Sequence, residues 1–488
     1  MRFVVLATAV VTALAVAGPA GAERYVVLFK HDRAASERFA QPLVEWAGGS
    51  LVAGYPEIGV AIAESSDPGF ADALDRLRLV EGVAATGGMS GGPAGGSWSG
   101  DRPGQLPNEP AADADTFSPL QWWAMRIKSP EAHAITGGSP DVTVGVIDTG
   151  VDASHKDLDG NVDASRSVSC VSGAPDGSPS AWNDDSGHGT NVAGVIAAEA
   201  NGRGIVGIAP NVKLAVIKAS TRVGTRDVFL PEAVICSFVW AANNGIDVTN
   251  NSYSMDSAPS GGTTAFCKDD RPQKTIIKAV QRAIAYAQKR DVSVVASAGN
   301  DGIDLEALRE SGCMRLPSQA PGVVTVSSIG MLDGLAAGPP SNYGADQITV
   351  TAPGGDFMQG VPPAGLVLGP WPASMQVPRL LCDPCTGPDA AFYRFFAGSS
   401  QAAAQVSGVA ALVVSRFGKD RRWWSGKMDP RDVRVILEQS ADPLPCPAGD
   451  ARCVVTRKNE TSFFGEGVVN ALEAVTYGKR GKHDRDDD

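Results

Sequence analysis

Short apolar runs alternate with helix-period segments over most of this chain. From residue 121 to about 477, strand-like runs fall at 142–147, 213–219, 247–253, 292–298, 323–329 and 347–352. Segments 190–199, 231–243, 274–289, 401–416 and 430–441 carry apolar residues at helical spacing. Buried strands separated by helices of that length predict an α/β fold, a mostly parallel sheet flanked by helices. Residues 24–88 read as a separate, smaller unit. Tyr25-Val26-Val27-Leu28-Phe29 has strand character, 34–46 and 70–79 helical character, and 59–63 and 83–86 strand character again. That mixture predicts a small α+β domain.

The pattern breaks in three places. Met1-Arg2, an apolar stretch over 3–16 and Ala20-Gly21-Ala22 describe a secretory signal peptide cleaved after Ala22. The stretch is short for a membrane anchor, which needs about 20 residues, and no later window is apolar for that length. Residues 89–118, with Gly91-Gly92-Pro93-Ala94-Gly95-Gly96, hold too little apolar surface to fold alone and read as a linker. The end, 479–488, is all charge and reads as a disordered tail. The expected organisation is 1–22 signal, 23–88 small α+β domain, 89–118 linker, 119–478 main domain and 479–488 tail.

Composition narrows the function. The 488 residues carry a formal charge of −12, which argues against a nucleic-acid backbone or an anionic membrane as partner. Export makes the eight cysteines disulfide candidates. Cys446 with Cys453, and Cys382 with Cys385, are close enough to staple single loops. Cys170, Cys236, Cys267 and Cys313 cannot be paired from sequence, and Cys236, in a helical run, also fits a buried free thiol. Cys382-x-x-Cys385 lacks a redox or zinc context. Gly202-Arg203-Gly204-Ile205-Val206-Gly207 matches a dinucleotide fingerprint, but a helix precedes it and a strand follows, the reverse of what that site requires. Any catalytic imidazole must be one of five: His31, His133, His155, His188 or His483.

Four segments carry chemistry together. Asp148 ends the apolar strand Val144-Gly145-Val146-Ile147, at the edge where open α/β sheets place their sites. His188 sits between glycines at the start of an Ala/Val-rich helix. Ser400 opens another helix in Gly398-Ser399-Ser400. Asn300 follows Ala298-Gly299 at a strand end, where a side-chain amide could donate to an oxyanion. Each alone also fits a cap or turn. A serine hydroxyl needs a base to attack an amide, and the base needs an orienting carboxylate, and these segments supply that set in the order Asp, His, Ser.

With these motifs the chain resembles a subtilisin-family (subtilase, peptidase family S8) secreted serine endopeptidase. The resemblance implies Ser400 as nucleophile, His188 as general base and acid, Asp148 as its orienting partner and Asn300 in the oxyanion hole. It implies that Ser252, Tyr253 and Ser254, with Ala298 and Gly299, bind substrate backbone as an added strand. It also implies that residues 24–88 are an inhibitory propeptide and the enzyme a zymogen. Asp157 and Asn201 match positions that ligate a structural Ca²⁺ in the family, and catalysis itself needs no cofactor. The expected partners are protein or peptide substrates and the chain's own propeptide, with no nucleic acid and no membrane after signal removal. The mature enzyme is read as a monomer, secreted to the extracellular space or cell envelope. The chain departs from the family at Ser254, where Gly is usual, at Gln401, and at Ala404-Gln405 in place of Pro-His. Those departures raise the alternative of a catalytically weak subtilase-fold binding or inhibitory protein. Insertions at 257–273 and 357–392 raise that of a processing protease for one partner.

Overall fold

The computed structural model describes residues 21–30, 33–87, 90–93, 96–97, 115–256, 265–357, 365–375, 380–421 and 427–478. Nearly all of the expected signal segment, much of the linker and the tail 479–488 lie outside the described residues.

The N-terminal unit runs β1 (Glu23–Phe29), α1 (Arg33–Trp46), β2 (Ser50–Tyr55), β3 (Val60–Ser65), α2 (Phe70–Asp75) and β4 (Val80–Ala85). Its antiparallel sheet has the order β2-β3-β1-β4. The two-residue period of β1 sorts its side chains between two cores. Tyr25, Val27 and Phe29 pack with Val44, Phe70 and Leu74 under the unit's own helices. Val26 and Leu28 point the other way, into a core shared with Phe238, Val239, Ile276 and Ile277 of the main domain. β2 went unnoticed in the sequence because it is a half-exposed edge strand with Gly54 inside it.

The linker is continued by β5 (Ser90–Pro93) and β6 (Gly96–Ser97). The main domain then supplies β7 (Thr143–Asp148), β8 (Val168–Ser169), α3 (His188–Ala197), β9 (Lys213–Lys218), β10 (Arg226–Phe229), α4 (Pro231–Asn243), β11 (Val248–Asn251) and β12 (Tyr253–Asp256). After these come α5 (Arg271–Lys289), β13 (Ser293–Ser297), β14 (Val324–Ile329), β15 (Val350–Pro353), β16 (Phe392–Ala397) and α6 (Ser399–Arg421). A seven-stranded sheet of order β15-β14-β13-β11-β7-β9-β8 is parallel throughout. Its strands are buried on both faces, as near-continuous apolar runs require. α4 and α5 form the face that the N-terminal sheet covers. α5 starts where Pro272 follows the cap residue Asp270, whose side chain accepts from Gln273 N.

The expected strand 247–253 is two strands. β11 ends at Asn251, whose amide donates to Val295 O at 2.9 Å and to Thr249 Oγ1 at 3.1 Å, and β12 leaves the sheet. β12 pairs antiparallel with β5 through Tyr253↔Pro93, Ser254↔Gly92, Met255↔Gly91 and Asp256↔Ser90. β6 pairs with β16 through Phe396↔Ser97 and Ala397↔Gly96. Part of the expected linker is therefore strand. It has no core of its own, and it acquires structure by borrowing the backbone groups of two open strand edges.

Disulfides join Cys170–Cys236, Cys267–Cys313, Cys382–Cys385 and Cys446–Cys453. The two local loops agree with expectation. Cys236 is not a free thiol: the fold brings Cys170, at the end of β8, within 5.6 Å (Cα to Cα) of its position on α4.

Candidate active site

β7 delivers Asp148 to the C-terminal edge of the sheet, fully buried. Its Oδ1 accepts from Thr149 N at 2.7 Å and lies 2.8 Å from His188 Nδ1. Backbone crowding explains the glycines around the pair. Gly150 has φ +103°, and a Cβ there would stand 2.6 Å from the carbonyls of Trp182 and Asn183. A Cβ at Gly189 would stand 2.0 Å from Gly150 O. The loop after Asp148 and the first turn of α3 thus approach more closely than any side chain permits. Burial pulls the His188 pKa down, but the adjacent Asp148 charge, with Asp227 and Asp184 behind it, holds it above the ordinary value.

One residue that the sequence did not single out ties this pair together. Asp184 is buried, and its Oδ1 accepts from Thr149 Oγ1, Ser186 N and Gly187 N, each at 2.9 Å. Its Oδ2 accepts from Thr190 N at 2.9 Å and from Thr190 Oγ1 at 2.5 Å. Thr149 Oγ1 in turn accepts from Gly189 N at 2.9 Å. One carboxylate therefore joins the loop that carries Asp148 to the helix start that carries His188. Its only sequence signal is an acidic residue just ahead of a helix N-terminus, the place where such groups cap free N–H groups.

Ser400 sits in the first turn of α6, fully buried. Its Oγ donates to Ser252 O at 3.2 Å, and Ser252 Oγ donates back to Ser400 O at 2.9 Å, so the Ser400 segment is laced to the strand junction at 252. Gln401 Nε2 donates to Asn191 Oδ1 at 3.2 Å, which sets the first turns of α6 and α3 side by side. Gln405 donates to Pro353 O. The departures at 401 and 405 thus belong to a buried polar network.

Asn300 is positioned from two sides. Its Oδ1 accepts from Ser399 N at 2.9 Å, which turns its amide nitrogen away from Ser399 and leaves that nitrogen buried without a partner. Gly299, at φ +104°, donates to Ser399 Oγ at 3.1 Å. The turn is shaped by Asn342, also missed in the sequence, whose side chain donates to Ala298 O at 2.9 Å and accepts from Asp301 N and Ile303 N. His188 Nε2 and Asp148 Oδ2 are likewise buried without a partner. Orphaned buried polar groups cost free energy unless a ligand meets them. Beside them Tyr253 stacks on Phe229 at 4.3 Å, fully buried. Burial, then the nearby Asp148 charge, raises its pKa. Ser254 is also buried.

Asp157 and Asn201 lie apart from this centre. Burial pushes the Asp157 pKa up to about 8, against the lowering effect of Ile205 N–H and the neighbouring Tyr393 and Asn201 side chains. Asn201 Oδ1 accepts from Arg203 N, and its amide donates to Lys156 O. Asp157 Oδ2 accepts from Ile205 N at 3.2 Å, Asp157 Oδ1 is buried without a hydrogen-bond partner, and the Asn201 oxygen is committed elsewhere, so the two residues offer one uncommitted oxygen. Ca²⁺ asks for six to eight oxygens, roughly, and this donor set does not fit one. Among the described residues no group of three or more His, Cys, Asp or Glu could hold a metal ion. His155 is structural: its ring bonds Phe392 O and Asp157 N.

The profile of the subtilase family (Peptidase S8) matches residues 139–469, more than half of the chain. Fervidolysin of Fervidobacterium pennivorans is 28% identical over 304 residues, which are 62% of this chain and 37% of that one. The chain thus spans little more than a third of that relative's length. Subtilisin DY of Bacillus licheniformis is 30% identical over 350 residues, covering 72% of this chain and 96% of that one. Among solved structures, the epidermin leader peptide processing serine protease of Staphylococcus aureus is similar in fold over 93% of this chain and 98% of that one, with TM-score 0.67 and 23% identity. The family match, read with the geometry of Asp148 and His188, makes this chain a member of the subtilase family.

Proposed function

We propose that the chain is a secreted serine endopeptidase, made as a zymogen, that hydrolyses peptide bonds through an acyl-enzyme. Ser400 Oγ attacks the substrate carbonyl. His188 Nε2 takes the Oγ proton and passes it to the leaving amine, while Asp148 holds Nδ1 and stabilises the imidazolium. Asn300 Nδ2 donates to the oxyanion. Water then enters by the same proton route and frees the acyl group. What supports this reading is the set of buried, unpartnered groups: His188 Nε2 on the ring that Asp148 holds, and Asn300 Nδ2 on the side chain that accepts from Ser399 N, next to Ser400 in the chain.

The N-terminal unit acts as the inhibitory propeptide. It covers α4 and α5 with one sheet face, and Glu81 binds both Lys278 and Arg282 of α5. Its linker lies along β12 as an extra strand, the mode by which an extended peptide binds a sheet edge. The mature enzyme works as a monomer on protein or peptide substrates, without a catalytic cofactor. Secretion rests on the expected signal segment. No helix among the described residues is long and apolar enough to cross a membrane.

The catalytically weak alternative has one observation in its favour: the recorded hydrogen bond of Ser400 Oγ goes to Ser252 O rather than to His188. Such bonds commonly tighten only with substrate in place. Peptide hydrolysis by the processed protein and by its Ser400→Ala and His188→Ala variants separates the readings. Activity confined to the unsubstituted chain supports the endopeptidase. Hydrolysis that survives Ser400→Ala would refute it.

A further inference from the structure

One strand outside the reacting centre is bonded to segments on two sides of it. β10 is the second strand of a hairpin whose first is Ser220–Val223. The two pair through Ser220↔Phe229, Thr221↔Val228, Arg222↔Asp227 and Val223↔Arg226. Gly224 turns the hairpin at φ +62°. Successive side chains of a strand face opposite ways, so Asp227 and Phe229 share a face, and both are buried.

Asp227 reaches the His188 side. Its Oδ2 accepts from Ser186 Oγ at 2.6 Å, and Ser186 stands two residues before His188. Ser186 N donates to Asp184, the carboxylate that joins the Asp148 and His188 segments. Arg222, directly across the hairpin, donates from Nη1 to both Asp227 oxygens, at 2.9 and 3.1 Å, and to Ser186 Oγ at 2.7 Å. Phe229 reaches the other side. Its ring stacks on Tyr253, the residue after Ser252, whose carbonyl accepts from Ser400 Oγ.

The Asp227 side chain is 5% exposed and that of Arg222 36%, so water screens the arginine more than the carboxylate. Burial lowers the His188 pKa, while Asp148, then Asp227, then Asp184 raise it. The other charges around the imidazole are met or stand farther off. Asp185 pairs with Lys218 of β9 at 2.8 Å. The Arg394 guanidinium of β16 lies 5.5 Å over the Phe396 ring, which in turn meets the His188 ring edge-on at 6.2 Å.

We propose that Asp227 is a positioning residue for His188: it holds the loop that enters α3 through Ser186, and it sets a second negative charge beside the one on Asp148. This rests on the endopeptidase reading above. The two contributions separate by residue, since the hydrogen bond needs Ser186 and the charge does not. A protonated imidazole cannot take the Ser400 proton, and a nearby carboxylate favours the protonated form. Asp227 therefore places the acid limb of the activity profile at higher pH than Asp148 alone would.

The test is the pH dependence of kcat/KM for peptide hydrolysis by the processed protein at low salt, whose acid limb reports the base in the free enzyme. Asp227→Asn keeps the shape and removes the charge. It should move the acid limb to lower pH, raising the ratio of kcat/KM at about pH 5.5 to that at about pH 8 by about twofold or more. Ser186→Ala keeps the charge and removes the bond. It should leave the limb in place and lower kcat by about threefold or more. Where Asp227→Asn fails to fold, Asp227→Asn combined with Arg222→Gln leaves no member of the pair charged and carries the same expectation for the limb. An acid limb that stays in place or moves to higher pH in the Asp227 variants, or full kcat in Ser186→Ala, would overturn the inference. Those results in an enzyme whose hydrolysis depends on Ser400 leave the endopeptidase reading standing. Hydrolysis that survives Ser400→Ala, or no hydrolysis at all, overturns that reading and the inference with it.

Discussion

Asp184 offers a perturbation whose size can be worked from the structure. Asp184→Asn keeps shape and volume but replaces one acceptor oxygen with a donor. The carboxylate now accepts from Thr149 Oγ1, Ser186 N and Gly187 N on one oxygen and from Thr190 N and Oγ1 on the other. Whichever way the amide turns, it faces at least two donors with an NH₂ group. Hydrogen bonds to a charged group are worth about 1.5–3 kcal/mol each. Burial raises the Asp184 pKa, against the bonds to Thr190, Gly187 and Ser186, so the neutral amide recovers part of that loss as reduced desolvation. The net cost is about 2–4 kcal/mol. At roughly 2 °C per kcal/mol for a large domain, Tm falls by about 4–8 °C. Thermal unfolding followed by circular dichroism, on the Ser400→Ala background to avoid self-digestion, reads this directly. On the active background, kcat should fall with KM nearly unchanged, because the variant loosens the loop that orients His188 and leaves β12 intact. A Tm within about 1 °C of the parent, with unchanged kcat, would refute the claim that this carboxylate holds the two motifs together.

Further outcomes follow from other sites. Glu232 is fully buried under the N-terminal unit, 3.6 Å from Arg24, and burial raises its pKa against the opposing effect of Arg24 and Thr86. The covered state therefore binds a proton that the uncovered state releases above its ordinary pKa of 4.5. Once the chain is cut between the two domains, the N-terminal unit should stay bound best at about pH 4 and be released as pH rises through the raised pKa, and Glu232→Gln should flatten that dependence in size-exclusion profiles. The Cys170–Cys236 bridge closes a 66-residue separation, so Cys170→Ser with Cys236→Ser should lower denaturant stability by about 3–4 kcal/mol, and no change would contradict a constraining role. Because the Asp157 and Asn201 donor set does not fit a cation, chelation by EDTA should leave Tm within about 2 °C, and a larger drop would show a metal there.

Much of the sheet and the four chemical segments were legible because their signals are local. Asp148, His188, Asn300 and Ser400 each stand at a strand end or helix start beside the glycines their close approaches require. What stayed hidden is held by long-range contacts. Asp184 looks like a turn residue in Asn183-Asp184-Asp185-Ser186, and Asn342 lies far along the chain from the turn it shapes. The partner of Cys236 depends on how β8 docks against α4. β5 and β6 carry no alternating apolar pattern, since Gly and Pro supply only backbone, and their pairing exists because β12 and β16 offer open edges. The division of 247–253 into two strands follows from side-chain bonds of Asn251 that periodicity does not see.

The central claim, that Ser400 is the nucleophile activated by His188 and Asp148, is tested most directly by fluorophosphonate labelling of the processed protein with the modified peptide mapped. The account expects one label per chain, on Ser400, lost in His188→Ala and Ser400→Ala. Processed protein that takes no label, or takes it at another residue, would contradict it.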